Sequence, residues 1–336
     1  MLAAIGSARR DIRLESYIFA DDELGRRFAH ALVEQARAGI SVRVHLDAAG
    51  SLFWSGAALA RRMAAGGVAL RWFHRWDWRR PWRYNRRHHR KLLVIDGSIG
   101  WTGGFNIHRE NSLALYGPER WRDTHVRFRD GLARQAALRF DEFWQRRRRP
   151  PPPDQGRDQI ISNYARGGRR DMNGRFHRLI AQAEHNIQLT TPYFVPDAHT
   201  QQLLRKAARR GVEVHILVPR KSDVWLAQWA ARASYSLLLD DGVHIHEYLP
   251  RLLHAKTLLV DNRHAVIGTS NIDYRSFFLN YELNLFSTNP GLCQALARCF
   301  EQDLAESEAI TAQYWSRRFG GQRLLELAGW AARRWL

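Results

Sequence analysis

His89-Arg-Lys-Leu-Leu-Val-Ile-Asp96 and His254-Ala-Lys-Thr-Leu-Leu-Val-Asp261 carry one pattern, HxKxxxxD, twice in a chain of 336 residues. At the same distance from each histidine stands an asparagine, in Gly103-Gly-Phe-Asn106 and in Gly268-Thr-Ser-Asn271. Alternate residues of an extended strand share a face, so His89 points with Lys91 and His254 with Lys256. Asp96-Gly97 and Asp261-Asn262 stand where a tight hairpin turn is favoured. That gives Asp96 and Asp261 an architectural task rather than a chemical one.

The repeat extends upstream of the motifs. Asp11-Ile-Arg-Leu-Glu-Ser-Tyr-Ile-Phe19 matches Asn186-Ile-Gln-Leu-Thr-Thr-Pro-Tyr-Phe194, and both read as strands. Ala36-Arg-Ala-Gly-Ile-Ser-Val-Arg-Val44 matches Ala208-Arg-Arg-Gly-Val-Glu-Val-His-Ile216, a helix stopped by glycine and followed by an alternating strand. Each half then runs strand, helix, strand, helix, strand. The fold class is α/β: two similar halves, each a mixed sheet sandwiched by helices, packed with pseudo-twofold symmetry. Four arginines and four prolines at 146–153 read as an exposed connector. The expected divisions are a first half at 1–145, a linker at 146–157, a second half at 158–316 and a basic amphipathic tail at 317–336.

Two histidines, two lysines and two asparagines around one cavity suit a phosphodiester. One neutral imidazole can attack phosphorus while the other, protonated, donates to the leaving alkoxide. Lys91, Lys256, Asn106 and Asn271 would steady the non-bridging oxygens. With that much positive charge in side chains, no metal and no cofactor is expected. Asp123, in Trp121-Arg-Asp-Thr-His125, and Glu282, in Asn280-Tyr-Glu-Leu-Asn-Leu285, follow the two asparagines at comparable places. They are candidates to orient the imidazoles from the far nitrogen.

The chain holds 52 Lys plus Arg against 33 Asp plus Glu, a formal net charge of +19. Such a field favours a polyanion, either nucleic acid or an anionic membrane. No window approaches 18 uninterrupted apolar residues, and MLAAIGSARR lacks the length of a secretory signal. A cytosolic location, or one on the cytoplasmic membrane face, follows as the expectation. Cys293 and Cys299 lie six apart in a helical segment and read as packing residues. The interleaved stretch from Trp72 to Tyr84 offers Trp76, Trp78, Arg79, Arg80 and Trp82 as contacts for headgroups or the membrane interface, though such rings also stack nucleobases. His88, His108 and His125 lack metal-ligand spacing and are assigned structural roles.

The paired motifs resemble the phospholipase D superfamily over essentially the whole chain. Arg87-His-His-Arg-Lys-Leu-Leu-Val-Ile-Asp96, Trp121-Arg-Asp-Thr-His125 and Thr191-Pro-Tyr-Phe194 look like bacterial cardiolipin synthases, in particular the short branch without amino-terminal transmembrane helices. The resemblance implies joining of two phosphatidylglycerols to cardiolipin and glycerol through a phosphatidyl-histidine. It also implies a peripheral place on the cytoplasmic face of the bacterial inner membrane, with anionic lipid as partner and no obligatory nucleic acid. The first-copy histidine, His89, is usually the one modified in such relatives, which leaves His254 as general acid. Arginines at 86, 87 and 90 favour a neutral His89 in the same sense. The rival readings are a lipid hydrolase, a nuclease or other phosphodiesterase, and a non-catalytic membrane scaffold. Relatives normally place a strand before the first repeat as Gln159-Ile-Ile-Ser162 precedes the second; the first half shows none after Met1.

Overall fold

The computed structural model of the chain describes every residue except Ser55, Trp76, 150–157 and 333–336. The proline run of the connector and the end of the tail therefore lie outside the described residues, as does Trp76.

One sheet holds β1 (Asp11–Ser16), β2 (Ser41–Asp47), β3 (Ala69–Phe73), β4 (Leu92–Ile95), β5 (Ile99–Gly103) and β6 (His125–Arg129), in the order β3-β2-β1-β4-β5-β6. The remaining strands are β7 (Asp158–Ser162), β8 (Asn186–Thr190), β9 (Phe194–Val195), β10 (Glu213–Pro219), β11 (His244–Tyr248), β12 (Thr257–Val260), β13 (His264–Gly268), β14 (Ile272–Asp273), β15 (Leu283–Ser287) and β16 (Ser307–Ile310). Eight of them form the order β16-β11-β10-β8-β12-β13-β15-β7, and β9 pairs with β14. Without the edges β16 and β7, this sheet repeats the first strand for strand. Three parallel strands give way to an antiparallel motif hairpin in both. β7 lies antiparallel to β15, the extra strand that the second half was expected to own.

Local chemistry sets the matching elements. Asp22 caps the helix Glu23–Arg37 by accepting from the Gly25 amide, and Asp197 caps Ala198–Arg209 by accepting from Thr200. Both helices run out at glycines with left-handed backbones, Gly39 at φ 86° and Gly211 at φ 91°. The next strand registers apolar side chains against the first: Val42 and Val44 beside Ile12 and Leu14, Val214 and Ile216 beside Ile187 and Leu189.

Each motif strand serves two cores. Leu93 and Ile95 of β4 enter the core of the first half, as Leu258 and Val260 of β12 enter that of the second. The intervening Leu92, Val94 and Leu259 face a third cluster with Phe128, Phe140, Ile160, Ile267 and Leu285, which joins the halves. A strand buried on both faces reads as a continuous apolar run, and Leu92–Ile95 and the Leu-Leu-Val that ends β12 are such runs. Packing the two hairpins together brings both motif histidines to the junction.

The turns after the motif strands take the expected form. Asp96 and Gly97 have φ of 54° and 61°, and Asp261 and Asn262 both have 52°. Each aspartate turns back to fasten the start of the matching central strand in its own half, β1 or β8. The Asp96 carboxylate accepts the amides of Arg9, Arg10 and Asp11 at 3.0, 2.7 and 3.0 Å. Asp261 accepts those of Glu184, His185 and Asn186 at 3.0, 2.7 and 3.0 Å. These bonds hold both carboxyls below the ordinary carboxylate range against the opposing effect of burial.

Candidate active site

Backbone exchange between the halves builds the site. The His89 amide donates to the Tyr281 carbonyl at 3.0 Å, and the Tyr281 amide donates to Arg87 at 2.8 Å. The second half repeats this: the His254 amide donates to Arg122 at 2.7 Å, and the Arg122 amide to Leu252 at 2.8 Å. Each motif is thus bonded to the segment of the opposite half that bears a candidate carboxylate.

The carboxylates act across the junction. His89 Nδ1 lies 3.1 Å from both oxygens of Glu282, and His254 Nδ1 lies 2.7 Å from Asp123 Oδ2. An ionised carboxylate only accepts, so Nδ1 carries the proton and Nε2 of each neutral ring is left as the nitrogen with a free lone pair. The sequence offered both carboxylates but not the crossing, because the pairs are 193 and 131 residues apart.

Supports for the carboxylates differ between halves. Thr269 donates its hydroxyl to Glu282. At the matching position Gly104 leaves room for Asp123: a Cβ there would lie 1.9 Å from Asp123 Oδ1. Neither residue was singled out from sequence, although Gly103-Gly-Phe-Asn106 and Gly268-Thr-Ser-Asn271 set them side by side.

Both histidines, Asn106 and Asn271 line one cavity of about 880 Å³, which also receives Tyr17, Tyr193, Asp223, Asp273 and Arg275. The Asn106 oxygen is held by the Ile18 amide at 3.1 Å, which leaves its NH2 as the free donor. Asn271 hydrogen-bonds Asp273, whose carboxyl burial pushes up to about 6. The lysines sit deeper than expected. Lys91 and Lys256 are 1% and 3% exposed, and each ammonium donates to the carbonyl of its own motif histidine. Burial, then repulsion from Lys256, pushes Lys91 down to about 7; burial takes Lys256 down to about 8.

Burial is also the main influence on the imidazoles. His254 is pushed down to about 4 by burial and Lys256, against the pull of Asp123. His89 is lowered by burial and Lys91, against Glu282. Asp123 stays below the ordinary carboxylate range because Lys256 and His254 outweigh its burial. Two of the three arginines invoked for His89 are spent elsewhere: Arg87 is paired with Asp47 at 3.1 Å and Arg90 with Glu15 at 2.9 Å. Lys91, rather than those arginines, is the positive neighbour that keeps His89 neutral. A bound phosphodiester would relieve the repulsion among these cations and let one imidazole take up a proton.

The other histidines are packed. His88 and His45 lie with Glu15 in a buried cluster whose ligand atoms fall within 4.8 Å of one another. Arg90 already compensates that carboxylate, and burial holds His45 at about 3. His108 stacks on Trp54 and His125 on Phe105. Trp78 and Trp82 are 75% and 70% exposed, and Arg79 and Arg80 stand beside them on the surface. Cys293 and Cys299 are free thiols on the helix Pro290–Ala305.

The family described as "Cardiolipin synthase, PLD-like domain" matches residues 1–144 and 176–304, both halves and both motifs. The chain belongs to this family. Among curated relatives of the chain, "Probable cardiolipin synthase YwiE" of Bacillus subtilis is 33% identical over 330 residues, 92% of the chain and 64% of the relative. "Cardiolipin synthase 1" of Staphylococcus aureus is 33% identical over 332 residues, 95% of the chain and 67% of the relative. The chain spans about two thirds of the length of these relatives. Among solved structures, phosphatidylserine synthase of Haemophilus influenzae shares the fold with a TM-score of 0.73 at 14% identity, covering 100% of this chain and 92% of that one.

Proposed function

We propose that the chain is a phosphatidyltransferase that joins two phosphatidylglycerols into cardiolipin and glycerol. The observation that carries this reading is the pair of imidazoles in one cavity, each anchored at Nδ1 by a carboxylate from the other half. His89 Nε2 attacks phosphorus, the bond to the glycerol oxygen breaks, and His254 gives that oxygen its proton. The headgroup hydroxyl of a second phosphatidylglycerol then attacks the phosphatidyl-histidine. His254 takes up the hydroxyl proton, and the phosphorus–nitrogen bond breaks. Buried Lys91 and Lys256 supply a positive field that strengthens as charge gathers on the non-bridging oxygens, and the Asn106 amide is free to donate to them. Giving His89 the nucleophilic role rests on the family resemblance, since both rings are neutral in the same way.

The setting we propose is peripheral, on an anionic membrane at the cytoplasmic face. Among the described residues no helix is long and apolar enough to cross a membrane. Phe53 and Val224 at the cavity mouth are exposed, and Trp225 beside them is 60% exposed. The tail helix Gly320–Ala332 packs on the helix Trp225–Arg232 and still presents Leu324, Leu327 and Trp330 to solvent. Apolar side chains at a mouth on a chain of net charge +19 suit an anionic bilayer. Incubating the pure protein with phosphatidylglycerol vesicles and identifying products by mass spectrometry tests the reading. Cardiolipin plus glycerol is expected. Phosphatidic acid plus glycerol would make the chain a hydrolase, and neither product would remove the lipid reading.

A further inference from the structure

A second cavity, of about 670 Å³, lies on the reverse side of the segment that holds His89. Among the described residues it shares no lining residue with the histidine cavity. Asn280 faces the histidines and Tyr281 faces this second space, while Glu282 turns back to His89, as the alternation of an extended segment requires. Four arginines converge on it, Arg86, Arg148, Arg169 and Arg170, and among the described residues that line it there is no aspartate or glutamate.

None of the four has a carboxylate partner among the described residues. Arg169 donates to the carbonyls of Asn280 and Leu279 at 3.0 and 3.1 Å. Arg148 donates to the Tyr281 hydroxyl at 3.1 Å and lies over the Tyr164 ring. Arg86 and Arg170 are exposed, and their guanidinium groups have no bond among the described residues. Elsewhere in the fold, buried arginines meet carboxylates: Arg87 with Asp47, Arg90 with Glu15, Arg139 with Glu142. Here burial, and then the charges of Arg86 and Arg148, lower the pKa of Arg169 against the pull of Tyr281 and Glu282. The first turns of the helix Gly168–Gln182 form the floor, with Arg169, Arg170, Asn173 and His177 on one face. Its cap is Gly167, with no side chain to occupy the first amides, so the positive end of the helix adds to the same field.

We infer that this cavity binds a phosphate group, independently of the histidine cavity. Guanidinium forks fit phosphate oxygens, and an anion in the midst of the four removes their mutual repulsion. The phosphate can come from a lipid headgroup diester or from free phosphate.

Calorimetric titration separates these sources. The background is the His89→Asn/His254→Asn protein, in which the probes cannot react, and the probes are glycerophosphoglycerol and inorganic phosphate. Adding Arg86→Gln/Arg170→Gln is expected to weaken binding at this site by roughly tenfold or more, the scale of lost charge-assisted bonds, and to remove one equivalent of bound probe. The thermal midpoint without probe should not fall, because both side chains are exposed and make no bond among the described residues, and their loss relieves repulsion. Tighter binding of the diester assigns the cavity to headgroups; tighter binding of inorganic phosphate assigns it to the free ion. Equal stoichiometry and affinity with and without the arginine substitutions overturn the inference. Affinity here does not depend on any reaction at the histidines, so failure of the proposed transfer leaves this outcome readable.

Discussion

Asp123→Asn removes the charge from His254, a residue of the opposite half, and leaves His89 with Glu282. The contact is 2.7 Å between side chains 0% and 5% exposed, so little solvent screens it. A carboxylate about 4 Å from the centre of an imidazolium contributes about 4 kcal/mol at an effective dielectric of about 20. At about 1.4 kcal/mol per power of ten, losing that charge costs roughly a thousandfold in the fraction of His254 able to give up a proton. Cardiolipin formation from phosphatidylglycerol vesicles is expected to fall by about that factor. A phosphatidyl ester of p-nitrophenol needs no proton on its leaving group, so Asp123→Asn should still release nitrophenolate in a burst and hold a phosphatidyl adduct. Glu282→Gln should lose burst and adduct together. Both variants are compared with His89→Ala and His254→Ala, and Asp123→Asn should behave as His254→Ala does. If Asp123→Asn instead matches His89→Ala, the phenotypes follow the half rather than the contact, and the crossed arrangement is refuted. A burst kept by the Glu282 and His89 variants and lost by the other two would exchange the roles of the histidines and leave the crossing intact.

Gly104→Ala places a Cβ 1.9 Å from Asp123 Oδ1, so its turnover should fall with that of Asp123→Asn while its helix content by circular dichroism stays at the wild-type level. Asp96→Ala strips three amides of their acceptor and is expected to cost about 2 kcal/mol in urea unfolding, the low end for charged acceptors at a partly exposed site; an unchanged midpoint would contradict the clamp. Burial pushes His45 down to about 3 and His125 to about 4, below the unfolded value, so the unfolded chain binds more protons as pH falls from about 6.5. Stability is then complete above about pH 6.5 and is lost toward pH 4, by about 3 kcal/mol or more for each ring at the limit; melts of His125→Phe over that range should show a shallower loss than wild type. Vesicles of phosphatidylglycerol should sediment the protein at low salt and release it at high salt, since screening shortens the reach of a +19 chain; equal binding to neutral vesicles at high salt would argue against anionic lipid as the partner.

Local pattern announced much of this molecule. Two apolar strands between His-x-Lys and Asp, glycines after two helices, and carboxylates at matching places each left a mark within a few residues. The crossed pairs left none, because they depend on how two sheets pack through Leu92, Val94 and Leu259. The depth of Lys91 and Lys256 was hidden for the same reason: alternation gives the face of a strand but not what covers it. Arg86, Arg148, Arg169 and Arg170 are scattered over both halves and the connector in a chain rich in arginine, and only folding shows that they converge with no counter-charge among the described residues. Arg87 and Arg90 show the opposite case, since proximity in sequence to His89 suggested an influence that Asp47 and Glu15 absorb.

The clamp made by Asp96 and Asp261 turns the motif into a measure of length. The histidine and lysine stand at one end of a strand of four residues, Leu92–Ile95 in one half and Thr257–Val260 in the other. The aspartate stands at the far end, holding Arg9–Asp11 or Glu184–Asn186. From lysine to aspartate this is about 17 Å at about 3.3 Å per residue, the span of the sheet from reaction to rim. One residue added between them would turn either the lysine or the aspartate to the wrong face. The four unspecified letters in HxKxxxxD are therefore a gauge, and any side chain that packs can fill them provided the count is kept.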